Sequence, residues 1–119
     1  MVVMVWFVDV GSEENMQFLI IGYDGSDSEA LNRRLAVREA HLALGDKMRD
    51  AGKMLYGVAI LDDRETMVGS VLICNFPSRE ELDQYLKVEP YVTGGVWQTI
   101  EVKSCRVGPS FAGLVSKPG

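Results

Sequence analysis

Histidine is nearly absent from this chain: one residue, His41, in 119. Cysteine is almost as scarce, with only Cys74 and Cys105 and no C-x-x-C spacing. A structural zinc site needs four Cys or His ligands, so no metal centre is expected. Two separated thiols in strand-like stretches read as buried, reduced cysteines and point to a reducing, cytoplasmic setting. Positive charge is also in short supply: 12 Lys and Arg stand against 17 Asp and Glu, a formal net charge of −5. With no basic cluster and no basic amphipathic stretch, neither nucleic acid nor a membrane surface is an expected partner. The apolar opening run, Met1 to Val10, is broken by Asp9. It covers about half of the ~20 residues a membrane helix needs, and it lacks the basic start and small-residue cleavage site of a secretory signal.

What the sequence does contain supports one packed domain. Hydrophobic residues make up 47% of the chain, enough for a core and too many for wholesale disorder. Residues 1–15 read as an N-terminal extension, either an edge strand or a leader, with Met16 as an alternative start. Residues 16–107 read as the folded domain. Residues 108–119, which contain Pro, Gly and Ser, read as a loose tail.

Within the domain, Gln17 to Tyr23 is rich in Ile and Phe and predicts a buried strand. Asp24-Gly25-Ser26-Asp27-Ser28 turns the chain, and Asp27 or Ser28 is a candidate cap for a helix over 29–51. Ala51-Gly52 closes that helix, because glycine suits the left-handed position after a helix end. Met54 to Leu61 and Thr66 to Phe76, separated by a short turn, predict an antiparallel hairpin. Ser78, with Glu81 three residues on, makes a capping box for a second helix ending near Lys87. Glu89-Pro90-Tyr91 breaks the chain direction, Thr93-Gly94-Gly95 forms a loop, and Val96 to Val107 predicts the last strand.

This order, β-α-β-β-α-β, predicts an α+β fold of the ferredoxin-like type: a four-stranded antiparallel sheet with both helices on one face. In the third strand both alternating sets of side chains are largely apolar. In the fourth, Val96, Ile100 and Val102 are expected on one side and Trp97 on the other. One layer of helices cannot bury both faces, which predicts a homodimer through sheet faces.

The first helix carries the candidate chemistry. At about 100° per residue, Leu31, Leu35 and Leu42 fall within about 40° of one another, and Val37, Leu44 and Met48 extend the apolar arc on its far side. Arg34, Arg38 and His41 lie inside that arc, at i, i+4 and i+7. Buried charge is costly without partners. Three such groups on one face predict a polar pocket beneath the helix. The alternative is that the arginines reach out to solvent along its edge and His41 is a satisfied core residue.

Three motifs then carry a resemblance. Arg38-Glu39-Ala40-His41-Leu42 resembles the Arg-x-x-His-Leu signature of the YCII-related (YciI-like) family. Met67-Val68-Gly69-Ser70 resembles its Gly-Ser element, and Glu89-Pro90-Tyr91 followed by Gly94-Gly95-Val96 resembles its Asp-Pro-Tyr and Gly-Val segments. The resemblance spans residues 16–107 and implies a dimeric α/β barrel of two ferredoxin-like sheets. It implies a His–carboxylate pair as the catalytic centre, here His41 with Glu89 where the family usually has Asp. Arg38, Arg34, Ser70 and Tyr91 are then candidate substrate-binding residues: the arginines for an anion, Ser70 as donor to a carbonyl or oxyanion, Tyr91 to close the pocket. The implied activity is cofactor-free acid–base chemistry on a small anionic or aromatic metabolite, by elimination, isomerisation or a dehydrochlorinase-like reaction. The alternative is a non-catalytic small-ligand-binding or dimeric accessory module.

Overall fold

The computed structural model describes residues 15–116. The readings made above for residues 1–14 fall outside them. Four strands form one sheet: β1 (Met16–Asp24), β2 (Met54–Leu61), β3 (Met67–Phe76) and β4 (Trp97–Cys105). Their order is β2-β3-β1-β4, and every neighbouring pair is antiparallel. Between them run α1 (Ala30–Asp50), α2 (Arg79–Leu86) and the short α3 (Pro90–Thr93), and α4 (Pro109–Ser116) follows β4. The fold is the expected α+β, ferredoxin-like arrangement. No helix among the described residues is long and apolar enough to cross a membrane.

Local chemistry sets the element ends. Gly52 has φ +77°, and its N–H and that of Lys53 bond back to Arg49 and Met48, which closes α1 with a Schellman turn. Ser78 accepts a hydrogen bond from the Glu81 N–H at 3.2 Å, the predicted cap of α2. Glu29, not Asp27 or Ser28, holds the N-cap position of α1 and makes no side-chain cap bond; Asp27 accepts from the Glu29 backbone N–H at 3.2 Å just ahead of the helix and pairs with Arg33 at 2.7 Å. The segment read as a break at Glu89-Pro90-Tyr91 is the start of α3, with Pro90 in its first turn. The tail read as loose contains α4, which begins at a proline in the same way.

Phe18, Ile20, Leu72, Cys74 and Phe76 point from the sheet into the core beneath the helices, where they meet Leu82, Tyr85, Tyr91 and Val96. Trp97 joins them, contrary to the alternation that put it on the far face. The register between β1 and β4 passes from Tyr23↔Thr99 to Asp24↔Trp97, so Gln98 is an extra residue. Such a bulge reverses the side to which the following positions point. The indole then lies over Gly22, where a Cβ would sit 2.3 Å from the ring, so only glycine fits there.

The leucine stripe of α1 is a second departure. Leu31, Leu35 and Leu42 are exposed, while Arg34 is 2% exposed. The buried face of α1 is centred on Ala30, Arg34, Val37 and Met48 instead. The helix turns its cation inward because an anion waits for it there, as the site shows.

Both cysteines are free. Burial, and the nearby negative charge of Glu89, push the Cys74 thiol up to about 12, and burial raises Cys105 as well. At pH 8 Cys74 then stays almost wholly protonated and holds little of the nucleophilic thiolate. A colorimetric disulfide reagent should therefore titrate Cys105 slowly in the native protein and reach Cys74 only on unfolding.

Candidate active site

A cavity of about 420 Å³ opens between α1 and the edge strand β2. That is within the range of small-molecule sites. Arg34, Arg38 and His41 line it from the helix, Ser70 and Leu72 from β3, and Tyr91 from α3. Met54 to Ala59 of β2 line its other wall. All three charged positions singled out on α1 thus reach one hollow, as the i, i+4, i+7 spacing requires.

His41 is held from two sides. Its Nδ1 lies 2.5 Å from Glu89 Oε1. Its ring stacks on Tyr91, with centroids 3.8 Å apart and planes 11° off parallel. A carboxylate can only accept, so Nδ1 carries the proton of this bond, and in the neutral ring Nε2 keeps the lone pair. Glu89 itself is 1% exposed, yet its charge is fully met. Oε1 also accepts from the Tyr91 backbone N–H at 3.1 Å, and Oε2 accepts from the Tyr85 hydroxyl at 2.5 Å. Glu89 reaches this position as N-cap of α3, where backbone and side chain are fixed together.

The second buried network has Arg34 at its centre. Its Nη1 donates to Asp24 at 2.9 Å and its Nη2 to Ser70 Oγ at 2.8 Å. Its guanidinium carbon stands 4.6 Å from the centre of the Tyr91 ring, a cation–π contact. Burial raises the Asp24 carboxyl above its ordinary value, and Arg34 pulls against that rise. Ser70 also accepts from Trp97 Nε1 at 3.3 Å. Arginine and the indole N–H are donors only, so both of these bonds use Ser70 as acceptor. The hydroxyl proton has no acceptor in this network and is free to donate toward the cavity that Ser70 lines.

The candidates thus divide. His41 and Glu89 meet directly, and Tyr91 touches both of them as well as Arg34. Arg34 is committed to Asp24 and Ser70, inside the fold. Arg38 is exposed on the cavity lining, and no ion pair to it is formed among the described residues. Of the two arginines on the cavity lining, Arg38 is the one left without an ion pair among the described residues. The sequence reading missed Asp24, Tyr85 and the inward Trp97. Only the i, i+4 spacing of Tyr85 and Glu89 left a trace in the sequence. Among the described residues no three His, Cys, Asp or Glu side chains are grouped as metal ligands.

The chain is similar to several known proteins. The Protein YciI of Escherichia coli O6:H1 is 33% identical over 94 residues, which cover 74% of this chain and 94% of that protein. The Protein YciI of Shigella flexneri matches to the same extent. Among solved structures, 5-chloro-2-hydroxyhydroquinone dehydrochlorinase from Burkholderia phenoliruptrix, in complex with 2,5-dihydroxybenzoquinone, superposes with a TM-score of 0.68 at 27% identity. That match covers 80% of this chain and 98% of the other. Residues 16–106 match the YCII-related domain, and the chain belongs to that family.

Proposed function

We propose that the protein is a cofactor-free acid–base catalyst in which His41 moves protons to and from a small hydroxylated, anionic ring, with loss of HCl as its reaction. The observation that carries this reading is the 2.5 Å contact of His41 Nδ1 with buried Glu89 beside an open cavity. With Nδ1–H engaged, Nε2 is the proton-transfer atom. Arg38 attracts the anion, and Ser70 donates to a ring oxygen. Likeness to the dehydrochlorinase supports the reaction class.

The steps balance without an external oxidant. Nε2 takes a proton from one ring hydroxyl and returns it to the chlorine-bearing carbon, giving a keto form. Removal of a second hydroxyl proton then expels chloride with the C–Cl electron pair and leaves a quinone. The protein should release chloride from 5-chloro-2-hydroxyhydroquinone under anaerobic conditions, and 2,5-dihydroxybenzoquinone should quench its tryptophan fluorescence. Neither release nor quenching at millimolar concentrations would remove this reaction from consideration.

The working unit in this proposal is a homodimer. On the face away from the helices, Leu19, Ile21 and Tyr23 lie beside Val71 and Ile73 of β3, with Tyr56, Val58 and Ile60 of β2 beyond. Tyr56 and Val58 are more than half exposed. A contiguous apolar sheet face of this kind marks an interface, and a second copy of the same face supplies a matching surface. Val58→Asp should turn a dimer into a monomer in light scattering without loss of helical circular dichroism. A wild-type protein already monomeric at micromolar concentration would contradict this assembly.

A further inference from the structure

We infer that Tyr85 is a positioning residue for His41, acting through Glu89 as the third member of a buried Tyr–Glu–His relay. The inference rests on the proposed role of the His41–Glu89 pair and extends it to a residue that touches neither cavity nor substrate.

The two oxygens of Glu89 have different partners. Oε1 serves His41 and the Tyr91 N–H, and Oε2 serves Tyr85 alone. The terminal torsion of a glutamate is broad, so a bond on one oxygen leaves the carboxylate plane weakly fixed. The Tyr85 hydroxyl removes that freedom, and Oε1 then points at Nδ1. Tyr85 is itself held. It is 6% exposed, its ring packs on Phe76 with centroids 5.6 Å apart, and its carbonyl accepts from the Val88 N–H at 3.0 Å. That backbone bond fixes the short link between Tyr85 and Glu89.

The donor is also permanent. Burial, followed by the charge of Glu89, pushes the Tyr85 phenol far above its ordinary value. It stays protonated and donating throughout the range in which the protein is folded. Cys74 of β3 also feels the Glu89 charge, and its thiol is held protonated too. The ionisable groups facing Glu89 are therefore His41 from α1, Cys74 from β3, Tyr85 from α2 and Tyr91 from α3. Of these, Tyr85 alone is a neutral hydroxyl bonded to Oε2.

The test uses Tyr85→Phe, which keeps the ring against Phe76 and removes one oxygen. His41 is the chain's only histidine, so ¹⁵N labelling of histidine reports one ring without assignment. In the wild type at pH 8 the ring nitrogens should show a single tautomer, protonated at Nδ1. In Tyr85→Phe the second tautomer should rise to at least about a tenth of the population. Chloride release, where present, should fall about tenfold in kcat with KM held within about twofold. An unchanged ¹⁵N pattern in a folded variant overturns the inference, whether or not the protein releases chloride. Should the variant not fold, the wild type still decides. Its Tyr85 hydroxyl proton should be a slowly exchanging downfield signal, and a freely exchanging hydroxyl overturns the relay.

Discussion

Replacing Arg34 by methionine should destabilise the protein by about 3–5 kcal/mol, the cost of leaving a buried charge without its partner. The pair it breaks is closed to solvent on both sides, with side-chain exposures of 3% for Arg34 and 2% for Asp24. Methionine retains much of the length and packing of the arginine stem, so the loss is chiefly that of the charge. A domain of this size has about 5–15 kcal/mol in total, so the variant should be marginal. Its melting temperature should drop by at least about 10 °C. The pH dependence identifies the cause. Asp24 is already raised by burial, and without Arg34 it rises further. A carboxyl raised in the folded state favours folding below its unfolded value, near 3.9, and that contribution is lost as pH rises through the folded value. The deficit of Arg34→Met should therefore be largest near pH 7 and shrink toward pH 4, where a protonated Asp24 needs no counter-charge. A deficit independent of pH would mean that the stem, not the charge, does the stabilising. Urea melts at the two pH values distinguish these outcomes.

His41→Ala should lower kcat for chloride release by about 10²–10⁴-fold, the range over which a positioned general acid–base residue acts. KM should change little, since Arg38 and Ser70 remain. Glu89→Gln keeps the shape of the side chain but offers Tyr85, the Tyr91 N–H and Nδ1 a neutral partner. One of its two terminal atoms becomes a donor facing a donor, so the His41 tautomer is no longer fixed. The loss should approach that of His41→Ala. In the double variant the two losses should not multiply, because a carboxylate that acts only through the imidazole has nothing left to act on. Multiplying losses would show that Glu89 stabilises the active fold by another route. A His41→Ala protein with full turnover would remove the imidazole from the mechanism.

Much of the fold was legible because its signals are local. The Ser78 cap, the Gly52 helix end and the close spacing of the second and third strands depend on a few adjacent residues. The alternation of apolar residues on both sides of β3 depends only on the period of two. The approach of His41 and Arg38 to one hollow followed from helical spacing. Glu89 was found through its resemblance to a family motif, since nothing in its immediate neighbourhood marks a glutamate as buried.

The sequence by itself determined the four strands and the first two helices, their order, and which side of α1 carries the chemistry, because each rests on backbone periods and end chemistry that act over a few residues. Only the tertiary structure decided which partner each buried charge takes. Asp24, at the end of β1, claims Arg34 from the helix that follows and turns the leucine stripe outward. The extra residue at Gln98 brings Trp97 over Gly22 and onto Ser70. Tyr85 closes the far side of Glu89. Each of these outcomes is set by desolvation. A charge or hydroxyl removed from water must find its partner in three dimensions, and no periodicity along the chain encodes which one is in reach.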